Sequence, residues 1–100
     1  MTDALDDQLT QDARLVILRE LSKQRDARLN EVALIRALDV FGFRRSRDWV
    51  RTQFNVLAEL GAIRVTEVGD FKVATLRQAG RAHVDRRALL EGVARPADDD

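Results

Sequence analysis

A helical hydrophobic period that stops at a glycine and gives way at once to a two-residue alternation constrains this fold more than any other feature. Val50, Phe54, Leu57 and Leu60 recur at spacings of four and three, which puts them on one stripe of a helix opened by Ser46. Gly61 supplies a left-handed C-terminal stop. Beyond it, Ile63, Val65 and Val68 alternate with Arg64, Thr66 and Glu67, as a half-buried strand would. Gly69-Asp70 offers positive φ for a tight turn. On the return strand Phe71, Val73 and Thr75 face one side and Lys72 and Ala74 the other, and Phe71 and Val73 are expected to complete the core.

Upstream the period is helical throughout. Thr10 reads as an N-cap with Asp12 early in the first turn, and Leu9, Ala13, Val16, Ile17, Leu18 and Leu21 form a broad apolar face over a helix from about Gln11 to Gln24. Residues Arg25 to Leu29 read as a polar connection. Asn30 caps a second helix, whose buried face is Val32, Leu34, Ile35, Leu38 and Phe41 and which Gly42 ends. The turn Gly42-Phe43-Arg44-Arg45 leads to the Ser46 helix, with Trp49 at the edge of the core. After Leu76 a further helix is expected to about Leu90, with Gly92 and Pro96 marking its end. The expected organisation is a flexible acidic N-terminus over residues 1–9, one domain over 10–95, and a disordered acidic tail over 96–100. Three helices, a two-stranded hairpin and a C-terminal helix give an α+β fold, mostly α, of the winged helix-turn-helix type.

Composition fits a small globular domain: 100 residues, 45% of them hydrophobic. No apolar run approaches the ~20 residues that span a bilayer, no signal peptide opens the chain, and no membrane partner is expected. Without cysteine there is no disulfide framework or thiolate metal site, which suits the cytoplasm of a bacterial host. The formal net charge of zero hides an uneven distribution. Asp3, Asp6, Asp7, Asp98, Asp99 and Asp100 lie at the ends, leaving 17 basic against 11 acidic residues in the body.

That basic excess is densest where the third helix begins. Its outward face is expected to carry Arg47, Asp48, Arg51, Thr52 and Asn55. Arginine suits guanine bidentately, asparagine suits adenine, and the threonine methyl can meet a thymine methyl. Arg44 and Arg45, in the turn, are placed for phosphates, and the helix N-terminus at Ser46 adds backbone N–H groups that favour an anion. Lys72 lies further back on the hairpin, whose tip offers Gly69-Asp70 beside Glu67 in place of the usual basic residues. The expected interface with double-stranded DNA is therefore Arg44, Arg45, Ser46, Arg47, Arg51, Thr52, Asn55 and Lys72. It requires the guanidinium groups of Arg44, Arg45, Arg47 and Arg51 to project jointly into solvent. The competing reading of these arginines is solvation or pairing with acids, for Arg47 and Arg51 above all.

Three segments carry a resemblance: Arg14-Leu15-Val16-Ile17-Leu18, Ser46-Arg47-Asp48-Trp49-Val50-Arg51-Thr52, and Leu60-Gly61-Ala62-Ile63-Arg64-Val65. Together with Glu91-Gly92-Val93-Ala94-Arg95-Pro96, they resemble a family of small winged-helix proteins of Mu-like phages and prophages, similar to ArsR-type regulators. The resemblance runs from about Gln11 to Pro96 and implies a winged-helix fold, DNA binding and transcriptional control. Two departures stand out. The Leu-Thr-x-x-Gly segment common after such hairpins is here Leu76-Arg77-Gln78-Ala79-Gly80, with arginine in place of the capping threonine. ArsR-type metal sensing needs cysteine or clustered histidine and carboxylate ligands, and the chain has no cysteine and one histidine, so no metal is expected.

His83, the single histidine, reads as an ordinary, partly exposed helix residue. No nucleophile–base pair, phosphate-cradling glycine loop or convincing carboxylate dyad is present, so neither catalysis nor a cofactor is expected. Val84, Ala88, Leu89 and Val93 leave two outcomes open: packing on the first helix of the same chain, or a homodimer interface shared with Leu5 and Leu9. The alternative to a DNA-binding phage regulator is a protein-interaction adaptor, in phage assembly or a regulatory complex, presenting Trp49 or the tail helix.

Overall fold

The computed structural model describes residues 4–97. Four helices and three strands follow in the order α1 (Ala4–Ser22), β1 (Arg28–Asn30), α2 (Glu31–Val40), α3 (Arg47–Glu59), β2 (Ile63–Val68), β3 (Phe71–Leu76) and α4 (Gln78–Val84). The strands form one antiparallel sheet in the order β1-β3-β2. About half of the described residues are helical, fewer than the mostly-α expectation. Among the described residues no helix is long and apolar enough to cross a membrane.

The core forms where the apolar stripes meet. Ile17, Leu18 and Leu21 of α1, Leu34 and Leu38 of α2, Val50, Phe54 and Leu57 of α3, and Ile63 and Ala74 of the sheet are all buried. Each large member contributes roughly 1.5–3 kcal/mol by leaving water. Both predicted glycine stops are used. Gly42 has φ +91° and Gly61 φ +76°. In each case the two residues at and after the glycine donate back into the last helical turn: Gly42 N–H to Asp39 and Phe43 N–H to Leu38, Gly61 N–H to Ala58 and Ala62 N–H to Leu57. The caps hold as well, with Asn30 accepting from Ala33 N–H at 2.8 Å and Ser46 from Trp49 N–H at 3.1 Å.

Several boundaries fall elsewhere than the sequence suggests. α1 starts by Ala4, so residues expected to be a flexible leader are helical and Thr10 lies inside the helix, not at its cap. Asp6 and Asp7 occupy the first turn, where the helix dipole favours them, and Gln8 reaches Asp12 one turn on at 2.9 Å. The polar connection ends in β1, whose Leu29 pairs with Ala74 and joins the core as a partly buried neighbour. Phe71 does not complete the core. The sheet turns Ile63, Ala74 and Leu76 inward, while Phe71 stays 43% exposed and Phe41, at the end of α2, 54% exposed.

The C-terminal region departs most. The helix expected to reach Leu90 ends at Val84, and Arg86 takes the left-handed conformation at φ +62°. The cause is His83, which is fully buried and not the partly exposed residue expected. Its Nδ1 accepts from Leu90 N–H and its Nε2 donates to the Ala94 carbonyl, both at 2.9 Å, which fixes the neutral Nε2–H tautomer and folds the chain back. Val93 enters the core and Ala94 N–H reaches the Gln11 carbonyl at 3.1 Å, so this segment packs on α1 of its own chain. Arg14 fastens it further, donating to Gly92 O and to Gln53 of α3 at 2.8 Å each; its burial lowers its pKa. Pro96, placed in the disordered tail by the sequence, is buried; Asp3 and Asp98, Asp99 and Asp100 lie outside the described residues.

The arginine that replaces the capping threonine changes the start of α4 in a measurable way. Arg77 occupies the N-cap position and makes no side-chain capping hydrogen bond. Arg77→Thr should therefore raise stability by about 0.5–2 kcal/mol in urea denaturation. Gly80 is buried against the β2 entry, where a Cβ would overlap the Ala62 carbonyl oxygen and the Leu76 side chain. Gly80→Ala should lower stability by about 1–3 kcal/mol in the same assay.

Candidate nucleic-acid interface

α3 leaves the core with its N-terminal end and outward face exposed, and β2–β3 lies along one flank. Arg47, Asp48, Thr52 and Asn55 are all exposed. Arg47 sits over the Phe71 ring, its guanidinium carbon 5.5 Å from the centroid, which ties the helix start to the hairpin. The Thr52 hydroxyl donates to the Asp48 carbonyl at 3.1 Å, leaving its methyl outward. Ser46 spends its hydroxyl on the cap.

The four arginines do not share one fate. Arg44 is 89% exposed and forms a solvent-side ion pair with Asp39 at 3.3 Å, a contact of little energetic weight. Arg45 lies over Trp49 at 5.2 Å from the ring centroid. Arg51 is different. Its Nε and a terminal nitrogen meet the two Glu31 oxygens at 2.6 and 2.8 Å, and it also reaches the Asp70 carbonyl at 3.2 Å. The expectation of four guanidiniums free in solvent is corrected here: Arg51 is a structural counter-ion, because a buried carboxylate demands one.

Glu31 is the residue that sequence reading passed over. It occupies the first position of α2 and is fully buried. Besides the Arg51 fork it accepts the Lys72 backbone N–H at 2.8 Å. One carboxylate thus fastens the start of α2, α3 at Arg51 and the start of β3 together. The Arg51 hydrogen bonds hold the Glu31 carboxyl down to a pKa of about 2, against the opposing effect of burial and with the Lys72 N–H assisting. The same bonds raise the Arg51 pKa. The Lys72 ammonium points to Glu67 at 3.6 Å and is half-buried, so it is a poor candidate for a polyanion.

The chemistry this arrangement can perform is recognition. Arg44, Arg45 and Arg47 present cations around a helix N-terminus, and Thr52 and Asn55 present a methyl and an amide one and two turns along. Among the described residues no three His, Cys, Asp or Glu side chains converge as metal ligands.

The Glu31–Arg51 clamp makes a pH prediction with a definite sign. Its folded pKa lies below the unfolded value, so its stabilisation is present above about pH 4.5 and is lost as pH falls towards 2. Glu31→Gln should cost about 1.5–3 kcal/mol at neutral pH and should lose less stability than the parent on acidification. Arg51→Met should be worse than Glu31→Gln, since it leaves a carboxylate buried without its partner. Urea denaturation at pH 7 and pH 3 measures all three.

Comparison with known proteins places the chain. It is 41% identical over 92 residues to the "Uncharacterized protein gp26" of Escherichia phage Mu, covering 92% of this chain and 95% of that protein. It is 42% identical over 72 residues to an "Uncharacterized protein" of Haemophilus influenzae Rd, covering 70% of this chain and 69% of that one. No protein-family model and no solved structure matches it. At that identity, and over nearly the full length of both proteins, the chain belongs to the family of phage Mu gp26.

Proposed function

We propose that this phage-family protein is a winged-helix module of the ArsR-like type that binds double-stranded DNA, with α3 in the major groove and the β2–β3 hairpin as its wing, and acts in transcriptional control. The observation that carries this reading is the connectivity α1-β1-α2-α3-β2-β3 with strand order β1-β3-β2, which sets an exposed, capped helix start beside a hairpin. In this reading Arg44, Arg45 and Arg47 meet phosphates, and the Ser46 helix start adds its N–H groups. Thr52 and Asn55 meet base edges. Arg51 sets the angle between α3 and the wing and touches no base.

The second reading, a protein-interaction adaptor in phage assembly or a regulatory complex, draws on a specific observation. Asp48 and Glu59 share the exposed face of α3, and the wing tip is acidic and apolar, with Val68 56% exposed. Such a surface suits a protein better than a polyanion.

A gel shift on mixed phage and host DNA separates the two. With three phosphate-binding arginines, log affinity should fall against log salt with a slope of about −2.7 per protomer. Replacing Arg44, Arg45 and Arg47 together by alanine should flatten that slope. Absence of any shift at micromolar protein and low salt overturns the DNA reading and leaves the adaptor.

A further inference from the structure

The end of α2 leaves an aromatic ring outside the core that its helical period predicts for it. Phe41 is 54% exposed, and it lines a cleft of about 520 Å³. One side of that cleft is a face of α1, where Val16, Arg19, Glu20 and Lys23 recur at helical spacing. The rest is Val84, the left-handed turn at Arg86, and the returning residues Pro96 and Ala97. The His83 bonds to Leu90 and Ala94 hold that returning segment in place, together with Ala94 N–H on the Gln11 carbonyl. The cleft is therefore built by the fold itself. Its size falls within the ~300–1,000 Å³ of sites for small organic molecules.

Val16, Phe41, Val84 and Pro96 give the cleft an apolar lining. Most of the charged groups around them are already committed. Lys23 pairs with Glu20 at 2.9 Å, Asp85 with Arg87 at 3.3 Å, and Arg86 is engaged as well. Arg19 is the exception. It is half-buried, and among the described residues its guanidinium meets no acid, carbonyl or ring. An arginine fork left unused beside apolar walls suits a carboxylate, which it can bind bidentately away from bulk water. An aromatic ring set beside Phe41 gains buried area and ring–ring contact together. We propose that this cleft binds a small aromatic carboxylate, its ring among Val16, Phe41, Val84 and Pro96 and its carboxylate on Arg19. A phosphate monoester would bring a second negative charge beside Glu20 and Asp85, whereas a monoanion matches the one guanidinium of Arg19. None of Arg44, Arg45, Arg47, Thr52 and Asn55 lines the cleft, so the proposal stands apart from the DNA reading.

Naphthoate and its neutral isostere naphthamide test this on the full chain, by amide chemical-shift titration of nitrogen-labelled protein. Naphthoate, taken to about 10 mM, should shift the amides of Val16, Arg19, Phe41 and Val84, with a dissociation constant of about 1 mM or tighter. Naphthamide should bind about tenfold or more weakly, because it offers Arg19 no charge. Arg19→Gln should weaken naphthoate about tenfold and leave naphthamide unchanged. Phe41→Ala should weaken both. Arg19 has no side-chain partner in the fold, so unchanged amide shifts away from the cleft should show that Arg19→Gln keeps the structure. Absence of naphthoate shifts at these amides overturns the proposal, as does equal affinity for the acid and the amide. Naphthoate binding undiminished in either variant overturns it too, and so does an Arg19→Gln effect shared equally by naphthamide.

Discussion

A single buried carboxylate imposes the geometry on which the exposed face depends. Glu31 is placed in the interior by its position in α2, three and seven residues before Leu34 and Leu38. Removing an ionised carboxylate from water costs several kcal/mol, and only excellent pairing offsets it. The chain meets that demand with an arginine fork from α3 and a backbone N–H from β3. Such pairs are seldom large net contributors to stability, because apolar residues of equal volume can replace them at little cost. What this one supplies is direction. Apolar packing between α3 and the hairpin would tolerate sliding, whereas a bidentate pair and a third hydrogen bond admit one arrangement.

The parts of the fold legible in the sequence were those written in local chemistry. Asn30 and Ser46 cap, and Gly42 and Gly61 stop, because capping and left-handed glycine depend on a few adjacent residues. The hairpin turn at Gly69-Asp70 is legible for the same reason: Gly69 takes φ +61° at the first turn position. What escaped depends on distant partners. β1 is three residues long and exists because β3 offers it an edge. His83 ends α4 early because Leu90 and Ala94 come back to it. Neither Leu90 nor Ala94 signals this in its own neighbourhood.

The candidate interface shows the same division. Exposure of Arg47, Thr52 and Asn55 follows from helix phase and that of Arg44 from its place in the turn, and both were legible. The withdrawal of Arg51 was not, although one clue was present. Glu31 falls on the apolar period of α2, and an acid on a buried stripe requires a cation from elsewhere. Four arginines crowd the next helix like a single patch, but one of them, Arg51, answers that requirement. Counting like charges in sequence overestimates a binding surface wherever a buried counter-charge lies within reach.

The distribution of charge in space, more than its sum, decides what such a face can meet. With Arg51 neutralised by Glu31 and Lys72 turned to Glu67, the cations left around α3 lie at its N-terminal end and the preceding corner. The hairpin flank presents Asp70, the Glu67–Lys72 pair, Val68, and Phe71 with Arg47 over its ring. A uniformly basic surface would draw any polyanion and repel its own copy. Here cations and carboxylates are interspersed around α3, so no single sign of charge covers the face. The Glu31 clamp therefore acts twice: it fixes the hairpin against α3, and it withdraws one guanidinium from the exposed face. Geometry and charge pattern on this face have one cause.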